Sequence, residues 1–226
     1  MNILKFKKQL VAFSLILTCS LSFGQNFEGW IHYKLEALNP NPEMIPDSTW
    51  QQGIRQQFGE KGYIVQKYFY KKDRYLSQME IGTQKGFQAF NPKDKLLYSW
   101  EMNSDTAVTI DSRIYIDTFK EIIESDKTAT ILGIPCKSII VKSTMGEMTL
   151  WYNSDYFKMD ATLFKGHKYG HWYEILKKIG CLPLKMEQKG FMSHTVQTIM
   201  EYKAEPLDDT LFAIPKFKEL IKNPVN

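Results

Sequence analysis

Phe27-Glu28-Gly29-Trp30-Ile31-His32-Tyr33-Lys34-Leu35 sets the fold. Phe27, Ile31, Tyr33 and Leu35 share one face, and Glu28, His32 and Lys34 share the other, because successive strand side chains point to opposite sides. This is the pattern of a half-buried strand. Asn39-Pro40-Asn41-Pro42 ends it, since proline has no N–H to give a ladder.

The same period continues downstream. Alternation predicts strands over 63–71, 74–81, 86–91, 96–102 and 106–110. Turns are expected at Lys71-Lys72-Asp73, Asn91-Pro92-Lys93-Asp94 and Asn103-Ser104-Asp105. Two further hairpins follow, 130–143 with 147–153 and 182–189 with 195–202. Such close spacing points to antiparallel neighbours rather than βαβ units. The stretch 114–123 is compatible with either a strand or a short helix.

Two segments carry helical spacing instead. Asp47 or Ser48 can cap a helix over 48–58, with Trp50, Ile54 and Phe58 in one stripe and Gly59 and Gly62 at its end. Trp172, Ile175, Leu176 and Ile179 mark a second helix over about 169–179, closed by Gly180. The C-terminal stretch carries Phe212, Ile214 and Pro215, and a short helix is expected up to Lys222. The expected fold class is therefore mainly β (α+β), with nine or ten antiparallel strands and two helical insertions. Strand twist leads to the expectation of a strongly curled sheet, an incomplete β-barrel whose concave face the helices cover.

The start of the chain predicts its compartment. Lys5, Lys7 and Lys8 precede the apolar run 10–21, and Ser22-Phe23-Gly24 offers small residues for cleavage. Residues 1–24 thus have the layout of a secretory signal peptide, leaving 25–226 as one domain in the periplasm or outside the cell. The run is shorter than the roughly 20 residues a membrane span needs, so no transmembrane span is expected in the mature chain. Lipidation at Cys19 is the alternative, disfavoured by the bulk of Thr18 just before it.

The 226-residue chain has 29 Lys+Arg against 25 Asp+Glu, a net +4. Three of those lysines belong to the leader, so the mature domain is close to neutral and has no field to hold nucleic acid. The run Lys67-Tyr68-Phe69-Tyr70-Lys71-Lys72 splits between two faces of its strand. Cys136 and Cys181 form an even pair in an exported chain, and the expectation is one disulfide, with two buried free thiols as the alternative.

Four stretches carry a resemblance. Ile131-Leu132-Gly133-Ile134-Pro135-Cys136-Lys137, Thr149-Leu150-Trp151-Tyr152, Leu182-Pro183-Leu184-Lys185 and Leu211-Phe212-Ala213-Ile214-Pro215 resemble pieces of a family of secreted envelope proteins. That family is similar in layout to the LolA-type periplasmic lipoprotein carriers. The resemblance spans roughly residues 27–216. It implies an incomplete barrel with a hydrophobic cavity and a lipid or acyl-chain ligand, and it transfers no functional residue.

Candidate chemistry is sparse. No Gly-x-Ser-x-Gly turn and no Gly-rich phosphate loop occur, and Asp208-Asp209 are expected to be solvated loop acids. His167 and His171 lie four apart, a spacing that can hold a metal. Without a clear third ligand they are expected to be exposed on a glycine-flanked turn. The alternating apolar faces offer a pliable lining: Tyr75 and Met79; Tyr98, Trp100 and Met102; Met148, Leu150 and Tyr152; then Met186 and Met200. The expectation is a non-catalytic binding or carrier protein without a cofactor, its ligand a lipid or acyl chain. The alternative is an interaction module with a solid core that binds an envelope protein partner at a sheet edge.

Overall fold

The structure is a computed structural model that describes residues 26–82, 84–190 and 193–224. The expected leader, with Cys19 and Gly24, lies outside these residues. Twelve strands form one sheet: β1 (Gly29–Leu38), β2 (Ile64–Lys71), β3 (Arg74–Ile81), β4 (Gln84–Asn91), β5 (Leu96–Glu101), β6 (Thr106–Asp111), β7 (Phe119–Ile131), β8 (Ile134–Ser143), β9 (Gly146–Tyr152), β10 (Lys185–Gly190), β11 (His194–Ala204) and β12 (Glu219–Lys222). Two α-helices are described, α1 (Asp47–Phe58) and α2 (Trp172–Ile179). No described helix is long and apolar enough to cross a membrane.

The strand order is β12-β6-β5-β4-β3-β2-β1-β11-β10-β9-β8-β7. Two antiparallel meanders, β2–β6 and β7–β11, meet where β1 pairs with both β2 and β11. Their junction is tight at Gly29, whose φ is +146°, and a Cβ there would run into the Lys203 carbonyl oxygen.

This architecture corrects the expected curled, incomplete barrel. The sheet is open, it is not strongly curled, and its outer strands, β12 and β7, do not pair with each other. It is a mixed α and β fold whose strands are mostly antiparallel; β12 joins β6 in parallel where a helix was expected. Nor do two helices cover one face. Only Ile54 of α1 is buried, and the helix is tied to β1 by the Trp50 indole N–H, which donates to the Ala37 carbonyl at 3.0 Å. The physical reason is that alternation reports which face of a strand is buried and carries no information on curvature.

The connection from β9 to β10, residues 153–184, covers the apolar face and brings Phe157, Met159, Phe164, Leu176, Leu182 and Leu184 onto it. A smaller cluster on the other face packs Phe212 from the 3-10 turn Asp209–Phe212 against Leu76 and Ala89.

The expected disulfide is also absent: Cys136 and Cys181 are both free and buried. Cys136 packs in the cluster of Ile134, Trp151 and Phe157, whereas Cys181 packs with Ile139, Leu150 and Ile175 in a separate cluster. The Cys136 thiol donates to the Ile134 carbonyl at 3.4 Å. Burial raises both thiols, Cys181 to about 12, with Cys136 adding to that rise. Native protein should therefore resist a thiol reagent, and unfolded, unreduced protein should take one label at each of residues 136 and 181. A chain two hydrogens lighter, with no label after unfolding, would overturn this assignment.

Candidate functional site

Residues 153–184 hold the cover in place through backbone bonds. The Leu182 and Leu184 N–H groups donate to the Phe157 and Trp151 carbonyls at 2.9 and 2.8 Å. Lys168 and Tyr169 N–H groups both donate to the Ser112 carbonyl, at 2.7 and 3.1 Å, which docks the cover beside the end of β6. Asp160 caps the 3-10 turn Ala161–Phe164 by accepting from the Thr162 N–H at 2.8 Å. Gly170 (φ 63°) and His171 (φ 59°) then occupy left-handed conformations in succession, and this kink starts α2.

Between this cover and the strands lies a cavity of about 160 Å³. Tyr33, Tyr68, Tyr70 and Tyr75 wall it from β1–β3, and Tyr169 and Trp172 wall it from the cover. The register explains the gathering. Ile31 faces Tyr68, Tyr33 faces Gln66, and Tyr70 faces Tyr75, so these side chains share one face. Tyr68 stacks on Tyr70 with centroids 5.7 Å apart, and Tyr33 meets Tyr68 edge-on at 5.7 Å. The Tyr33 hydroxyl donates to the Pro183 carbonyl at 2.9 Å, tying sheet to cover.

Burial sets the charge state of this wall. It holds the phenols of Tyr33, Tyr70 and Tyr75 well above their ordinary value and Tyr68 at about 12. His167 is only 2% exposed, and desolvation lowers it to about 4. Its Nε2 lies 3.3 Å from the Tyr75 hydroxyl. These five side chains are thus neutral near pH 7.

Beside the cavity lies a shallower groove of about 670 Å³ across β2–β6, and the two share Tyr68, Gln88 and Tyr169 as lining residues. Tyr68 faces Ser77, Ser77 faces Gln88, and Gln88 faces Ser99 in consecutive strands, which places a row of hydroxyls and amides along the groove. Gln88 donates to the Ser99 hydroxyl at 3.1 Å, and Gln66 donates to the Tyr68 hydroxyl at 2.8 Å.

The residues expected to line a cavity scatter. Tyr75 and Met186 do line it. Met79 and Trp100 border the groove, with the Trp100 ring stacked on Phe87 on the other face. Tyr98 donates its hydroxyl to Asp94. Leu150 and Tyr152, with Met148 beside them, pack solidly against Ile175 and Ile179 of α2. Met102 and Met200 are exposed, at 50% and 42%.

The histidines correct another expectation, because both are buried rather than exposed. His171 Nε2 lies 3.5 Å from Asp117. Among the described residues no three His, Cys, Asp or Glu side chains gather as a metal site.

No family model matches the chain, and no curated protein matches it. Among solved structures it is similar to PNGF-II, at 16% identity and a TM-score of 0.46, over 87% of this chain and 32% of that one. The chain thus spans about a third of PNGF-II. It is also similar to an uncharacterized conserved protein from Thermus thermophilus (8% identity, TM-score 0.48, covering 87% and 91%). A third is LprF from Mycobacterium bovis (8% identity, TM-score 0.33, covering 80% and 88%). Overlaps this loose carry no functional argument.

Proposed function

We propose that the protein is a non-catalytic binding protein of the cell envelope that takes up a hydrophobic ligand as a carrier or sensor. The observation behind the reading is the tyrosine-walled cavity of about 160 Å³ under the 153–184 cover. An apolar cavity of roughly this size, about 150 Å³, is known to admit benzene. The space therefore suits one ring or a few methylenes, and only the end of a lipid or acyl chain fits inside. Affinity would come from apolar burial, about 25 cal/mol per Å² before ordering costs. The leader supports an envelope location.

Native mass spectrometry before and after organic extraction tests this reading, on protein exported with its own leader and purified gently. The expected result is a discrete extractable mass of lipid or small-aromatic size. An apo mass in both samples, together with no uptake of added toluene, would overturn it.

A second reading, an interaction module that binds a protein partner, rests on the sheet's open edges. At one edge, β12 leaves Leu220 and Ile221 exposed. The opposite edge is guarded: β7 bulges twice and carries Lys120, Glu121, Glu124, Asp126 and Lys127, features that discourage strand addition. The cavity therefore has the stronger support.

A further inference from the structure

The shared wall of cavity and groove, and the absence of lysine and arginine from their described lining, bear on the head group a ligand would carry. Among the described lining residues of both there is no lysine or arginine, and the one carboxylate is the exposed Glu101 in the groove. On the wall, Tyr33, Tyr68, Tyr70, Tyr75 and His167 stay neutral near pH 7 because burial disfavours their charged forms. Where the cavity meets the groove, the side chains on offer are the Tyr68 and Ser77 hydroxyls and the Gln88 amide, with Ser99 next in the row. Hydroxyls and amides both donate and accept, so they match a neutral polar group of either kind.

We infer that the ligand is an uncharged amphiphile whose ring or chain end fills the tyrosine cavity while a hydroxyl or amide head meets Gln88 and Ser99 in the groove. This deepens the proposed binding function and rests on it. A carboxylate or phosphate placed there would lose its hydration with no cation to replace it. An ammonium fares no better, since the cavity has no carboxylate and Glu101 stands in solvent at the outer end of the groove.

Benzyl alcohol, benzoate and benzylammonium share one ring and differ in charge, so they separate the possibilities. Titration of the purified protein at pH 7, followed by backbone amide shifts in NMR, should show benzyl alcohol binding about tenfold or more tighter than either ion. Benzoate or benzylammonium binding as tightly as the alcohol would overturn the neutral-head inference and leave the binding function standing. No binding by any of the three would overturn both. Gln88→Lys places an ammonium at the half-buried position shared by cavity and groove. It should raise benzoate affinity about tenfold while weakening benzyl alcohol. Unchanged benzoate affinity in a folded Gln88→Lys protein would show that the head does not lie beside Gln88, against the inference.

Discussion

Acidification from pH 7 to pH 4 is expected to cost about 3 kcal/mol of folding stability through His167 alone. In the folded protein desolvation lowers this imidazole from 6.5 to about 4. Its surroundings are the Tyr75, Phe90 and Phe164 rings, and Lys95 lies close enough to oppose a positive charge. Between those two values the unfolded chain binds a proton that the folded chain does not. Stability is therefore fully present above about pH 6.5, is lost as the pH falls, and stops falling on this account below about pH 4. Carboxylates held low by their partners, such as Asp117 and Glu187, add their own acid loss at the lower end. The contribution of His167 is isolated by difference. His167→Gln should remove most of the slope between pH 6.5 and pH 4 in urea unfolding. Identical slopes in the two proteins would show that His167 is solvated, and that the cavity wall beside it is not dry.

The strands were legible because a period of two survives in any half-buried sheet. Arg74–Ile81 has the bounds the alternation predicts, and most others shift by a few residues at an end. The helix over α2 was legible for a similar reason, since Ile175, Leu176 and Ile179 keep one buried stripe. Curvature was not legible, because the number of strands and the alternation are the same for an open sheet and a barrel. Cysteine pairing failed for a related reason. Packing places Cys136 in one apolar cluster and Cys181 in another, and chain spacing carries neither fact.

The site was only partly legible. Tyr75 and Met186 sit in the cavity, but the methionines expected beside them lie elsewhere, Met102 and Met200 in solvent. What decides membership is the area reached by residues 153–184, a tertiary fact. Tyr33, Tyr68, Tyr70, Tyr169 and Trp172 were missed as wall residues. A signal for two of them existed: Gln66, Tyr68 and Tyr70 share a strand face, where the run 67–72 stands out for its mixture of bases and aromatics. His167 looked like a metal ligand or a surface residue because sequence spacing does not reveal burial.

Phe164→Ala is expected to destabilise the protein by about 3–5 kcal/mol, the range for emptying a buried aromatic site. Phe164 is 1% exposed. Its ring lies 6.5, 6.1 and 6.3 Å from those of Tyr75, Phe90 and Trp172, so it joins both strands to both halves of the cover. Urea unfolding measures the loss, and Met102→Ala at an exposed strand end, within about 0.5 kcal/mol of the parent, serves as the control. The size of the loss bears on how a ligand enters. Each 1.4 kcal/mol is a factor of about ten in population. A cover that gains about 3 kcal/mol or more from a single ring loses that contact on lifting, which lowers the lifted population by a factor of about a hundred or more. Entry would then run along the groove, past Gln88 and Tyr68, with the cover in place. A loss under about 1 kcal/mol would mean that the ring is loosely seated. In that case residues 153–184 would behave as a lid, and the cavity would load by opening that lid rather than through the groove.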